Sequence, residues 1–148
     1  MKNQEIKFKG KNYNYSIIIG KNTLKVLPEK ISLLCPKTKN IALIIDKNIP
    51  QKFKTFLKIK LRNYNLVFLS FNANEKNKSL NTVNHYLKIL LSKNFNRSDL
   101  IIGIGGGITG DVGGFAESLF KRGLQFINVP TTLLSKVDSS VGDRKSVV

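Results

Sequence analysis

The sequence predicts an α/β fold: a Rossmann-like parallel sheet with helices on both faces, entered through an amino-terminal β-hairpin. Short apolar runs rich in β-branched residues, at 41–45, 66–71, 100–104 and 125–129, alternate with longer stretches of helical spacing. These runs are apolar at consecutive positions, the pattern of strands covered on both faces and hence of a parallel sheet. Glycines also crowd the junction after the third run, Gly103-Ile104-Gly105-Gly106-Gly107-Ile108-Thr109-Gly110-Asp111, where a strand gives way to a helix. A residue without Cβ lets a ligand approach the main chain, and the helix that follows offers free N–H groups and a positive dipole end. Residues 105–110 match G-x-G-x-x-G, although an ordinary Rossmann domain carries that pattern at its first βα turn and here it falls two-thirds of the way along. Glycines that only allow tight strand–helix packing are the alternative.

Residues 5–9 and 13–19 flank Gly10-Lys11-Asn12 and form the hairpin. Asn22 is placed to cap a helix reaching Leu34, with Leu24, Leu27, Ile31 and Leu34 on one face; Pro28 kinks that helix or divides it, and Pro36 ends it. The first parallel strand, 41–45, closes on Asp46, and Phe53, Phe56 and Leu57 mark a helix over 50–60. A second strand covers 66–71, polar residues occupy 72–78, and Leu80, Val83, Leu87, Leu90 and Leu91 set a helix over 79–92. Asp99 precedes the third strand. A helix over 107–121, a strand over 125–129 and a helix capped by Thr131 complete the series.

With 148 residues the chain forms one domain, 1–148, large enough for a real core. Its formal charge of +16, from 25 Lys and Arg against 9 Asp and Glu, raises nucleic acid, a membrane surface or an anionic small substrate as partners. The lysines are spread singly, however, which is the distribution of a solvated surface, and neither nucleic acid nor membrane is expected as a partner. Cys35 is the only cysteine, so neither an internal disulfide nor a multi-cysteine metal site is available, and its apolar neighbours make it a small buried hydrophobe. His85, the only histidine, sits on an apolar-periodic helix as a surface or half-packed residue and leaves no pair of histidines for a metal. The one early apolar run, Ile17-Ile18-Ile19, is too short for a signal peptide, and no stretch has the length of a membrane span; the expected location is cytoplasmic.

In a doubly wound sheet, ligands collect at the carboxyl ends of the strands. Asp46 and Asn48 follow the first, where a carboxylate can accept from ribose hydroxyls or can cap a helix. Glu75 and Lys78 follow the second, suited to an adenosine hydroxyl and a phosphate or simply to solvent. Asp111 stands one turn into the helix after Gly105, Gly106 and Gly107, where it favours the dipole. Pro130, Thr131 and Thr132 follow the fourth strand as a helix start whose hydroxyls cap or meet a ligand, with Asp138, Ser139 and Ser140 farther on.

Taken together, Gly105-Gly106-Gly107-Ile108-Thr109-Gly110-Asp111-Val112-Gly113-Gly114-Phe115-Ala116, Lys121-Arg122-Gly123, Phe126-Ile127-Asn128-Val129-Pro130-Thr131-Thr132-Leu133-Leu134 and Val137-Asp138-Ser139-Ser140-Val141-Gly142 resemble the 3-dehydroquinate synthase family. The match is dense over residues 98–142 and rests mainly on layout before that, where Asp46-Lys47-Asn48 and residues 73–80 look like the family's nucleotide-contacting segments. Asn74 stands where the family has glycine, a change asparagine tolerates because it also visits the left-handed region. The resemblance implies an amino-terminal α/β domain that binds NAD and a helical carboxy-terminal domain that supplies a divalent metal, zinc or cobalt, and most substrate contacts. It implies conversion of 3-deoxy-D-arabino-heptulosonate 7-phosphate into 3-dehydroquinate and phosphate, with NAD recycled. By the same resemblance Asp46, Asn48, Glu75, Lys78, Gly105, Gly106, Gly107, Gly110, Asp111, Thr131 and Thr132 hold the dinucleotide, and Asp138 faces nicotinamide and substrate.

After Gly142 the pattern stops. The family continues Gly-Lys-Thr where this chain has Asp143-Arg144-Lys145, so the family's substrate-side lysine aligns with Arg144, or with Lys145 after a one-residue slip. The family's metal-binding Glu and two His have no counterpart. The expectation is therefore a truncated or frame-disrupted enzyme, lacking the helical domain and inactive alone, with a homodimer implied by analogy. A non-catalytic nucleotide-binding remnant, another sugar-phosphate cyclase and a metal-dependent polyol dehydrogenase are the alternatives.

Overall fold

A computed structural model describes residues 3–11, 14–20, 22–120 and 124–131. The hairpin pairs β1 (Gln4–Lys9) with β2 (Asn14–Ile19) antiparallel, Gln4 opposite Ile19 and Lys9 opposite Asn14. Phe8 stacks on Tyr15 across the pair, centroids 4.9 Å apart, and Ile17 and Ile18 turn inward. Pro28 divides the next segment into a 3-10 turn, Thr23–Val26, and α1, Leu27–Leu34, where proline lies in the first turn and its missing N–H costs nothing. Asn22 does not act through its side chain as a cap; it takes the left-handed conformation, φ 55°, and turns the chain into the 3-10 segment. The Lys30 ammonium donates to Glu5 at 2.8 Å and ties α1 to the hairpin.

Four parallel strands follow: β3 (Asn40–Asp46), β4 (Asn65–Phe71), β5 (Leu100–Gly105) and β6 (Gln125–Pro130), in the spatial order β4-β3-β5-β6. Helix α2 (Gln51–Lys60) joins β3 to β4, α3 (Leu80–Ser92) joins β4 to β5, and α4 (Gly107–Leu119) joins β5 to β6. The path runs outward from β3 to β4 and then back over β3 to β5. Because parallel crossovers are right-handed, reversing direction moves the helix to the opposite face. Two cores record that switch. Leu27 and Ile31 of α1 and Leu57 of α2 pack on Ile41, Leu43, Ile45, Ile102 and Val129, while α3 and α4 cover Ala42, Ile44, Leu69, Phe71, Ile101 and Phe126 from the other side. Alternate residues of each strand therefore serve different cores, which is why the runs are continuously apolar.

The amino ends of the strands are gathered by Asp99. Fully buried, its carboxylate accepts from the Lys39 and Asn40 backbone N–H groups at 3.1 and 2.9 Å, from Asn40 Nδ2 at 3.0 Å and from Asn96 N–H at 2.9 Å. Burial opposes its charged form, but the hydrogen bonds from Asn40, Asn96 and Lys39 outweigh it and hold the carboxyl below its ordinary value. Helix α4 ends at Leu119, short of the predicted 121, and both residues 121–123 and the helix predicted after Thr131 fall outside the described residues. Cys35 is buried, as its apolar neighbours predict, and His85 is exposed.

Candidate functional site

Strand β3 sends the chain toward one edge of the sheet and β5 sends it toward the other, so the loops leaving their carboxyl ends part and leave a crevice between them. Ile45 pairs with Ile104 in the ladder, and the next residue on each strand is Asp46 and Gly105. The two are in close contact. A Cβ built on Gly105 would lie 3.0 Å from Asp46 Cβ, 2.6 Å from Thr109 Oγ1 and 2.8 Å from Thr109 Cβ, and φ there is 157°. Glycine at 105 is therefore demanded by the neighbouring strand and by the helix folding back above it.

Gly106 caps α4 in extended conformation without a side-chain bond to the helix, and no acidic residue lies in the first turn. The amino terminus thus keeps its free N–H groups and its positive end unneutralised. Among the described residues, a Cβ on Gly107 would meet nothing within 4 Å. Gly110 is buried, and its N–H donates to Gly106 O at 3.1 Å. Thr109 is also fully buried, and its hydroxyl has no hydrogen-bond partner. Gly113 has a packing role instead: a Cβ there would come within 3.0 Å of the Phe126 ring, whereas one on Gly103 would sit at an ordinary contact distance of 3.6 Å from the same ring. The packing alternative thus holds for Gly113, and open space among the described residues marks Gly107.

On the β4 side, Asp46 is half-buried; its Oδ1 accepts from Asn48 N–H at 3.0 Å, closing a tight turn, and α2 begins only after Pro50. Asp46 therefore does not cap the helix. The loop 72–78 is folded by asparagines: Asn74 Oδ1 accepts from Asn77 N–H at 2.8 Å, and Asn77 Nδ2 donates to Asn72 O at 2.8 Å. Asn74 replaces glycine through this side-chain turn and not by entering the left-handed region, which among non-glycine described residues only Asn22 and Asn94 occupy. The loop delivers Lys78 to Asp111 of α4, Nζ 3.2 Å from the carboxylate, at a cavity of about 260 Å³ lined also by Ser79, Val83 and Phe115. The Asp111 hydrogen bond, the Asp111 charge and the charge of exposed Glu75 raise the Lys78 ammonium above its ordinary value.

On the β6 side, exposed Thr131 donates its N–H to Gly105 O at 2.8 Å, joining the exit of β6 to the glycine turn. Beneath it, toward α2, lies a cavity of about 710 Å³ with Ile49, Phe53, Phe56, Ile104 and Val129 in its wall. Thr132, Asp138 and Lys145 lie outside the described residues. The structure thus brings Asp46, Gly105 and Thr131 together at the carboxyl ends of β3, β5 and β6, with Asn48 in the Asp46 turn, Gly106 and Gly107 opening α4, Gly110 buried within it, Lys78 paired with Asp111, and Glu75 on the loop beside Lys78. Sequence reading passes over Thr109, whose burial depends on the β3–β5 register, and treats Asp99 only as the residue before a strand. Among the described residues no three His, Cys, Asp or Glu side chains converge on a point that could hold a metal ion, and no helix is long and apolar enough to cross a membrane.

Comparison with known proteins agrees with this geometry. Residues 68–148 match the family described as 3-dehydroquinate synthase N-terminal. A 3-dehydroquinate synthase of Pelagibacter ubique is 48% identical over 143 residues, and a 3-dehydroquinate synthase of Clostridium botulinum 41% identical over 139. The alignments cover 97% and 93% of this chain but 39% of each relative, so the chain spans about two-fifths of the length of these curated relatives. Among solved structures, 2-deoxy-scyllo-inosose synthase in complex with carbaglucose-6-phosphate, NAD+ and Co2+ superposes with a TM-score of 0.80 at 23% identity, over 99% of this chain and 44% of that one. At that identity the likeness establishes the fold.

Proposed function

The chain belongs to the 3-dehydroquinate synthase N-terminal family, and from that premise we propose that residues 1–148 form the NAD-binding domain of a 3-dehydroquinate synthase. The observation that carries the proposal is the uncapped amino terminus of α4, open at Gly107 among the described residues and set beside Asp46 at the point where the sheet reverses direction. The glycine turn, with no side chain to keep a ligand from the main chain, supports a dinucleotide reading.

Gly105, Gly106, Gly107 and Gly110 would surround the pyrophosphate, whose charge the helix end favours. Asp46, one oxygen of which holds the Asn48 turn, would accept from ribose with the other; Asn48 and Glu75 would add polar contacts, and Lys78, paired with Asp111, would meet phosphate. Thr131 and Thr132 would lie toward the nicotinamide, Asp138 would face nicotinamide and substrate, and Lys145 would meet the substrate. NAD supplies a reversible hydride acceptor. The full reaction proposed is conversion of 3-deoxy-D-arabino-heptulosonate 7-phosphate into 3-dehydroquinate and phosphate, carried out in the cytoplasm by a homodimer. The family's zinc or cobalt is not held by the described residues, which lack the donor set, and no step is assigned to it.

By itself this chain is proposed to bind NAD and to release no phosphate. Incubating the purified chain with NAD, the heptulosonate phosphate and cobalt or zinc tests both parts: NAD binding without phosphate release is expected. Turnover above background would contradict the inactivity, and absence of NAD binding would contradict the domain assignment.

A further inference from the structure

Thr109 is the one described residue with a fully buried side-chain polar atom that lacks a hydrogen-bond partner. A threonine in a helix ordinarily satisfies its hydroxyl on the carbonyl three or four residues back. Here those are Gly106 and Gly105. The hydroxyl bonds to neither, although each carbonyl oxygen has a second lone pair beside the one used: Gly106 O accepts from Gly110 N–H at 3.1 Å and Gly105 O from Thr131 N–H at 2.8 Å. Instead the hydroxyl faces the α-hydrogen of Gly105 from the helix side while Asp46 Cβ faces it from β3, the contacts that a Cβ at 105 would violate at 2.6 and 3.0 Å. Thr109 therefore sits at the seam of β3 and β5, under the turn and inside the first turn of a 13-residue helix whose amino end is uncapped.

A valine would fill the same volume without burying an unpaired hydroxyl, so packing alone does not account for threonine. We propose that Thr109 is a positioning residue for the bound dinucleotide, its hydroxyl donating a hydrogen bond to an anionic phosphate oxygen seated on the α4 amino terminus, directly or through one water. A single χ1 step separates the two rotamers that a helical threonine uses, and no side chain at Gly105 stands in the way. The inference rests on the dinucleotide reading of this crevice and adds to it a residue that works from below the turn.

The test compares the 148-residue wild type with Thr109→Val and Thr109→Ser by calorimetric titration with NAD and with ADP, alongside thermal melts without ligand. Thr109→Val is expected to bind both ligands about tenfold more weakly and Thr109→Ser within about threefold of wild type, the loss that follows from one hydrogen bond to a charged oxygen. Unliganded Thr109→Val is expected to melt no lower than wild type. Unchanged ligand affinity in Thr109→Val overturns the proposal, as does a lowered melting temperature, which would mean that the hydroxyl is already paired in the free protein. A wild type that binds ADP but not NAD removes the NAD reading alone, and Thr109 is then judged on ADP. A wild type that binds neither overturns both.

Discussion

Gly105 and Gly107 share one turn and answer to different constraints. At 105 an added methyl group runs into Thr109 and Asp46, so the residue is fixed by the folded chain; at 107 it meets nothing among the described residues. The two alanine variants should separate accordingly. Gly105→Ala is expected to destabilise the chain by about 1–3 kcal/mol through overpacking and to lose NAD binding with it. Gly107→Ala should leave stability equal or raise it by up to about 1 kcal/mol, as alanine replaces glycine in a helix, yet weaken NAD binding. Thermal melts paired with NAD titration check this, and a Gly107→Ala chain with undiminished affinity would mean that nothing approaches the turn there. The glycine run itself is plain in the sequence. Which glycine serves the turn, which the ligand and which the packing of Phe126 is not, because each answer depends on an atom more than a few residues away or on none.

At the scale of elements, the apolar runs and helical spacings locate every strand and helix among the described residues, with the ends off by one to a few positions. Pro28 announces the break between the 3-10 turn and α1 through its missing N–H, whereas the left-handed Asn22 that starts the turn follows from no local pattern. Asp99 was likewise invisible as a node: its partners Lys39 and Asn40 lie about sixty residues earlier, on another strand. Its carboxylate joins the amino ends of β3 and β5, so neutralising it leaves N–H groups under-satisfied at both. Asp99→Asn is expected to cost about 2–3 kcal/mol at neutral pH. The sign of the pH dependence follows from the lowered folded-state value. The contribution is fully present above about pH 4, the unfolded value, and is lost as pH falls through the folded value. Denaturant melts of wild type and Asp99→Asn from pH 7 down to pH 3 should therefore show the gap narrowing on acidification; a constant gap would show that the charge carries none of it.

For the whole molecule, the sequence dictates alternation of strands and helices but not the order β4-β3-β5-β6, which depends on which strands pair across the sheet. That order creates the site. By sending β4 and β5 to opposite sides of β3, it parts the loops where Asp46 and Gly105 meet, so residues 59 positions apart in the sequence come into contact. Part of the charge of +16 lies against aromatic rings. Lys52, Lys58 and Lys60 lay their ammonium groups over Phe53, Phe68 and Phe56 at 5.2, 5.2 and 6.0 Å, covering aromatic surface around α2 in the way long cationic side chains do. Binding of NAD across the carboxyl ends of β3, β4 and β5 onto α4 is tested by amide NMR shifts followed during an NAD titration of the whole chain. The largest shifts are expected at Asp46, Asn48, Lys78, Gly106, Gly107 and Asp111, with the hairpin and Asp99 unmoved. No saturable shifts, or shifts centred on the hairpin or on α2, would contradict it.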